Sequence, residues 1–91
     1  MNVTVSIPLA LLSLTGNASE LNLHASTVEE LVMNLDRLYP GFQAFILDES
    51  KQVRRFVNIF VNEDEIRSGA GLLTKLKDGD HVRIIPAVAG G

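Results

Sequence analysis

The sequence has no cysteine among its 91 residues. This absence excludes disulfide bonds, zinc sites built from thiolates, redox chemistry of the CxxC type and a cysteine nucleophile. It also fits a reducing compartment, where disulfides are rare. We therefore expect a cytoplasmic protein whose function depends on chemical groups other than thiols.

A surplus of basic residues and a long apolar run are also missing. Eight lysines and arginines face eleven aspartates and glutamates, giving a net charge of −3, whereas nucleic-acid binders normally carry a basic face. No segment approaches the about 20 apolar residues that a membrane span needs. The apolar run at residues 8–12 is short and has no basic residue before it, unlike a secretion signal. We expect neither a nucleic-acid nor a membrane partner.

The hydrophobic pattern predicts one small domain containing several strands. Apolar and polar residues alternate with a period of two along residues 2–7, 19–23, 54–61 and 81–85. This alternation is typical of strands that bury one face. A further short strand is expected at residues 65–67. The chain therefore holds enough strands for a sheet of four to five.

One strong helix signal lies between the second and third predicted strands. Apolar side chains recur there at helical spacing: Val28, Leu31, Val32, Leu35 and Leu38. Ser26 and Thr27 each precede a glutamate by three residues, so either pair can form a capping box. We predict a main helix over residues 27–39, ended by Pro40. Strands on both sides of one helix imply an α+β fold in which a mixed sheet is covered on one face. Side-by-side pairing of the first and last strands would make it a β-grasp.

The alternation also predicts which side chains face away from the helix. Four are expected to face it: Val57, Ile59, Val82 and Ile84. The opposite face then carries Phe56, Phe60 and Ile85, three large apolar groups that favour a partner surface. Three arginines lie close to them and could steer an acidic partner: Arg54, Arg55 and Arg83. The alternatives are that residues 9–14 cover the apolar groups and that the arginines are merely solvated.

The last five residues differ from an ordinary solvated terminus. Residues 87–91 read Ala-Val-Ala-Gly-Gly and hold no charged or polar side chain, whereas solvated tails are rich in such residues. Because glycine has no Cβ, a Gly90-Gly91 end can enter a slot too narrow for other residues. Its carboxylate would then be the reactive group, once a partner had adenylated it. A frayed terminus without a function is the alternative. We divide the chain into a folded domain at residues 1–86 and a flexible tail at residues 87–91.

The last strand and the tail carry a resemblance to a known family. Residues 78–91 read DGDHVRIIPAVAGG, and the pattern D-G-D-x-V-x-x-x-P-x-V-A-G-G resembles the ubiquitin-like sulfur carriers of the MoaD/ThiS family. Residues 1–8 and 56–62 are similar to the same family, and most similar to its cysteine-pathway carriers. The resemblance covers most of the chain and implies a ubiquitin-like β-grasp fold.

The resemblance further implies a sulfur carrier that catalyses nothing and holds no cofactor or metal of its own. An E1-like enzyme of the MoeB/ThiF type would use ATP to adenylate the carboxylate of Gly91, and sulfur transfer would convert it to a thiocarboxylate. Gly90 would let the end pass through a channel in the partner. Ala87, Val88 and Ala89 would lie along that channel as an extended strand.

The branches of the family imply different sulfur acceptors. In the cysteine branch, which the sequence favours, the acceptor is an activated serine on a PLP-dependent cysteine synthase, and a metalloprotease then cleaves the product from the carrier. In the molybdopterin branch the acceptor is a pterin precursor on the large subunit of molybdopterin synthase, with the carrier as a non-catalytic small subunit. In the thiamine branch it is thiazole synthase. Two other functions stay open: a protein modifier joined through Gly91 to target lysines, and a binding module with an inert tail.

Overall fold

The structure, a computed structural model, describes residues 1–86 and contains strands, α-helices and 3₁₀ helices. The strands are β1 (Asn2–Ser6), β2 (Glu20–His24), β3 (Val57–Val61), β4 (Asp64–Glu65) and β5 (His81–Pro86). The α-helices are α1 (Val28–Leu38) and α2 (Phe42–Ile46), and the 3₁₀ helices are η1 (Leu9–Thr15), η2 (Ile66–Ser68) and η3 (Gly71–Leu73). None of the helices in this part of the chain is long and apolar enough to span a membrane.

The strands form one mixed sheet in the order β2-β1-β5-β3-β4. β1 pairs with β2 antiparallel and with β5 parallel, and β3 pairs antiparallel with both β5 and β4. The first and last strands therefore lie side by side at the centre, with Val5 opposite Val82. This parallel pairing, together with a helix across one face, is the β-grasp arrangement. The predicted fold class is confirmed.

The core lies between one face of the sheet and the helices. The strands contribute alternate residues: Val3, Val5, Val57, Ile59, Val61, Val82 and Ile84. α1 contributes four members of its predicted apolar stripe: Val28, Leu31, Val32 and Leu35. The fifth, Leu38, is 57% exposed because it is the last residue of α1, and Tyr39 packs against the core in its place.

The start of α1 uses one of the two capping pairs that the sequence allows. Thr27 is the N-cap, and its hydroxyl oxygen accepts a hydrogen bond from the Glu30 backbone N–H at 3.1 Å. The Glu30 carboxylate reaches back to the Ser26 backbone N–H at 2.7 Å. These bonds satisfy donors that the first helical turn leaves unpaired. They fix the start of α1, and its buried apolar face holds it against the core.

Two strand predictions are wrong in their bounds. Residues 54–56 do not continue β3, because Arg54 to Val57 form a turn in which the Val57 N–H donates to the Arg54 carbonyl at 3.0 Å. The short strand predicted at residues 65–67 is β4 at residues 64–65, after which the chain enters η2 at Ile66. The first of these differences changes the shape of the candidate site.

Candidate functional site

The predicted tail follows the last residue of β5, the middle strand of the sheet. Pro86 is the last residue of β5 and pairs with Val57, the first residue of β3. β5 therefore leaves the sheet beside the turn formed by residues 54–57. The predicted site residues of the tail lie outside the described residues: Ala87, Val88, Ala89, Gly90 and Gly91. Their roles and the division of the chain at residue 86 stay predictions.

The outer face of the sheet, away from α1, carries three of the four residues predicted for a partner surface. Phe60 pairs with Arg83, and Asn58 pairs with Ile85, so these side chains share that face. The Arg83 guanidinium carbon lies 5.0 Å from the Phe60 ring centroid, which is a cation–π distance. Ile85 is 38% exposed. We call Phe60, Arg83 and Ile85 the outer-face patch.

The fourth predicted residue, Phe56, lies in the turn before β3 and is separate from the strand. Phe56 is 48% exposed, and the Arg55 guanidinium carbon lies 5.1 Å from its ring centroid. Phe56 lines an open groove of about 700 Å³ whose other walls include Ala10, Phe45 and Pro86. The predicted apolar patch is therefore divided between the outer face and this groove, which we call the exit groove.

η1 does not cover the outer-face patch. Leu11 is buried in the core, and Leu12 and Leu14 pack against the core. η1 therefore belongs to the helical layer, on the other side of the sheet from Phe60. Its exposed Ala10 forms a wall of the exit groove instead. Of the two interpretations left open by the sequence, the structure does not support covering by residues 9–14, and the outer-face patch stays a predicted partner surface.

Three arginines around these surfaces have no acidic partner within residues 1–86: Arg54, Arg55 and Arg83. The Arg54 Nε donates to the Ala44 carbonyl at 3.0 Å, which leaves its other guanidinium N–H groups available. The one ion pair in this part of the chain joins Arg67 to Glu65 at 3.9 Å. On a chain with a net charge of −3, the positive charges of Arg54 and Arg55 lie near the end of β5, and that of Arg83 lies on the outer face. Such a surface suits acidic groups.

Arg67 is a residue that sequence reasoning missed. Its guanidinium donates to the Arg54 carbonyl at 2.7 Å and to the Asn58 side-chain oxygen at 2.9 Å. These bonds hold the turn at residues 54–57 against β3. No local pattern signals the contact, because Arg67 lies 13 positions after Arg54 in the sequence.

A serine and a histidine also meet on the outer face. The Ser6 Oγ lies 2.5 Å from the His81 Nε2, because β1 and β5 run parallel side by side. A nucleophile of this kind needs a third group to orient the imidazole, and no side chain bonds its other nitrogen within residues 1–86. In the same residues no group of three His, Cys, Asp or Glu side chains could hold a metal ion. The pair offers a structural hydrogen bond between the two central strands.

Comparisons with known proteins agree over nearly the whole chain. The profile of the ThiS family matches residues 7–91. The sulfur carrier protein CysO of Mycobacterium tuberculosis (strain H37Rv) is 42% identical over 93 aligned residues, which cover 100% of both chains. A chain in the crystal structure of the Amycolatopsis orientalis BexX/CysO complex is 38% identical with a TM-score of 0.91, covering 98% of this chain and 99% of that one.

A further relative carries a different kind of name. Small archaeal modifier protein 3 of Haloferax volcanii is 33% identical over 66 residues, which cover 72% of this chain and 71% of that protein. The chain is therefore similar both to proteins named as sulfur carriers and to a protein named as a modifier. The ThiS profile covers β2 to β5 and residues 87–91, and starts just after β1.

Proposed function

The chain belongs to the ThiS family, and on that premise we propose that it is a sulfur carrier protein, which catalyses nothing itself and presents its terminal glycine to partner enzymes. The family predicted from the motif at residues 78–91 is confirmed. One observation carries the proposal: the chain is 42% identical, over its full length, to a protein named sulfur carrier protein CysO.

In this proposal Gly91 is the residue that reacts. Its carboxylate attacks the α-phosphate of ATP in the active site of an E1-like enzyme, and pyrophosphate leaves. Hydrosulfide then attacks the acyl carbon of the adenylate, AMP leaves, and a proton is lost to give the thiocarboxylate. No oxidant or reductant is needed for these two steps. ATP is consumed in the partner, so the carrier itself needs no cofactor.

The position of Pro86 supports this role for the tail. β5 is the middle strand of the sheet; β1 pairs with it as far as Arg83, and β3 holds its end through the pairing of Val57 with Pro86. Five residues in an extended conformation span at most about 17 Å. We propose that Ala87, Val88 and Ala89 lie along a channel in the partner and that Gly90 passes its narrowest point. The folded domain then stays outside while Gly91 reaches the reacting atoms.

We infer that the sulfur acceptor belongs to the cysteine-forming branch. The motif at residues 78–91 resembles the carriers of that branch, and both the M. tuberculosis and the A. orientalis relatives bear the name CysO. The acceptor would be an activated serine on a PLP-dependent cysteine synthase, and a metalloprotease would release the product. The relative from A. orientalis forms a complex with BexX, and we propose that partner enzymes of this chain dock on the outer-face patch.

The test is activation in a purified system. The protein is incubated with the E1-like enzyme of its own host, ATP and sodium sulfide, and two quantities are measured: ATP–pyrophosphate exchange and the mass of the C-terminal peptide. We expect exchange that depends on the carrier and a peptide in which sulfur replaces one terminal oxygen. A control lacking Gly90 and Gly91 should fold normally and support neither. Equal activity with the control would contradict the proposal and leave a binding module with an inert tail.

The likeness to small archaeal modifier protein 3 favours a second candidate function. A protein modifier would share the adenylation of Gly91 and differ in the nucleophile, because a lysine amine of a target protein would displace AMP. The discriminating product is an isopeptide bond between Gly91 and a lysine of another protein. Adding host extract and ATP to the same incubation tests it by mass spectrometry. Lysine adducts without any thiocarboxylate would replace the carrier function by the modifier function.

A further inference from the structure

We propose that the exit groove is a second docking site, filled by an apolar segment with acidic neighbours that belongs to the enzyme activating the tail. The inference rests on the proposed function, because it needs an enzyme that receives residues 87–91. It adds a contact that the tail and the outer-face patch do not provide. Three features of the groove support it.

The first feature is a preformed apolar floor. The groove holds about 700 Å³ and is lined by apolar side chains: Ala10, Ala44, Phe45, Phe56 and Val57. Phe56 leaves 48% of its surface exposed, and Phe45 packs partly buried against the core. A half-exposed aromatic ring in a concave surface is a common anchor point for an apolar side chain of a partner.

The second feature is a cationic rim whose side chains are already oriented. The Arg54 Nε is fixed by its 3.0 Å bond to the Ala44 carbonyl, and the Arg55 guanidinium lies over the Phe56 ring. A backbone carbonyl and a ring hold these arginines, and neither has an ion-pair partner within residues 1–86. Carboxylates of a partner can therefore bind them without displacing an internal acid.

One acidic residue, Asp48, lines the same groove. Its Oδ1 accepts hydrogen bonds from the backbone N–H groups of Ser50 at 2.8 Å and Gln52 at 3.0 Å. Asp48 is thus engaged in stabilising its own loop. The groove keeps a net positive rim, which selects an acidic occupant.

The third feature is continuity with the tail. Pro86 lines the groove and is also the last residue before residues 87–91. An enzyme that binds the tail therefore lies close to the end of β5 and to the groove beside it. Once the tail is bound, contact with the groove is intramolecular and adds affinity at a high effective concentration.

The tail of the same chain is the competing occupant, because it follows directly after Pro86. The enzyme segment fits better on charge. The tail offers one anionic group, its terminal carboxylate, whereas the rim presents two guanidinium groups, those of Arg54 and Arg55. A tail held in the groove would also have to leave it before every reaction.

The test compares two charge reversals of equal size in the pyrophosphate-exchange assay with the E1-like enzyme of the host. R54E/R55E reverses the rim, and K75E/K77E makes the same change in net charge before the start of β5, away from the groove. We expect the KM for the carrier to rise about tenfold in R54E/R55E, while kcat stays within about twofold of the wild-type value. At high salt the rise in KM should be smaller, because salt screens the charges. K75E/K77E should change KM by less than about twofold.

A second variant tests the apolar floor without changing charge. F56A should raise the KM about threefold at low and at high salt alike, because apolar burial is insensitive to screening. Circular dichroism and thermal melting of each variant check that the fold is retained.

The other outcomes separate the inference from the function on which it rests. If the wild type is activated and R54E/R55E has an unchanged KM, the docking site is wrong and the carrier function stands. If R54E/R55E has a lower KM, the groove held the tail itself, which also overturns the inference. If the wild type gives neither exchange nor thiocarboxylate, the carrier function fails and the docking site fails with it.

Discussion

The two ends of β5 are built differently. At its start, the Asn62 side-chain oxygen accepts from the His81 N–H at 3.0 Å, and the Asn62 amide nitrogen donates to the Asp80 Oδ1 at 2.9 Å. The Asp80 Oδ2 accepts from the Lys77 N–H at 2.8 Å. At its end, Pro86 lies beside a groove whose arginines bind no acid within residues 1–86. Polar groups are satisfied internally at the start, while donors remain available at the end.

This difference separates stability from binding along a single strand. Residues that satisfy one another contribute to the free energy of unfolding, and residues with remaining donors can contribute to affinity for a partner. Substitutions at the start of β5 should therefore lower stability and leave activation by the partner unchanged. Substitutions at the end should weaken activation by the partner and leave stability unchanged.

The largest effect is expected at the tail. One alanine appended after Gly91 should lower the rate of pyrophosphate exchange by about 100-fold or more, because the carboxylate moves away from the reacting atoms. The melting temperature should not change, because no described contact of residues 1–86 is altered. Adenylation of the untrimmed extended chain at the wild-type rate would contradict the role of Gly91.

The next effect concerns the start of β5. Asp80→Ala removes two hydrogen bonds of a charged carboxylate and should lower the free energy of unfolding by about 2 kcal/mol. Urea denaturation measures the loss, and the KM for exchange should stay within about twofold. Asp64→Ala is the matched control, because the Asp64 carboxylate makes no hydrogen bond within residues 1–86. Equal losses in the two variants would mean that the hydrogen bonds at the start of β5 add nothing to stability.

A smaller loss is expected in the turn before β5. Gly79 has a φ of +88°, and its N–H donates to the Asn2 carbonyl at 2.8 Å. Gly79→Ala should cost about 1 kcal/mol of unfolding free energy from the backbone conformation alone, because an added Cβ would meet no atom within 4 Å. Gly79→Asn should lose less, since asparagine tolerates this conformation better. If the two variants are equally stable in urea, the backbone conformation is not the cause.

The smallest effect tests where along β5 the residues that contribute to stability end and the residues that contribute to binding begin. Arg83 is on the outer face between the two ends and stacks on Phe60. Arg83→Gln should lower the free energy of unfolding by about 0.5 kcal/mol, the value of an exposed cation–π contact. It should also raise the KM for exchange about threefold, as loss of an exposed charge in a docking surface does. A stability loss with an unchanged KM would assign Arg83 to the structural part of β5.

Local patterns explain why much of the fold could be predicted. Alternation puts Val57 and Ile59 on the buried face whatever the neighbouring strands are, because successive side chains of a strand point to opposite sides. The spacing and capping residues of α1 are equally local, and Thr27 is one of the two N-cap residues that the sequence allows. The motif at residues 78–91 predicted the family without any structural information.

Contacts between distant segments explain what could not be predicted. Phe56 continues the alternation of β3, yet it lies in a turn that Arg67 holds from 13 positions beyond Arg54. The Ser6–His81 contact depends on the register between the first and last strands, which no local pattern encodes. The exit groove likewise joins η1, α2 and the turn at residues 54–57. The tail residues of the candidate site were predicted from the motif alone and stay predictions.

The most direct test of the carrier function is the mass of the C-terminal peptide from protein purified from its native host. We predict a fraction of molecules in which sulfur has replaced one oxygen of the terminal carboxylate. Fragment ions should place the mass gain at Gly91; the residues after Arg83 include no methionine, so oxidation of Met1 or Met33, which adds nearly the same mass, cannot account for it. A carboxylate that is entirely unmodified in cells with an active E1-like enzyme and a sulfur source would contradict the carrier function.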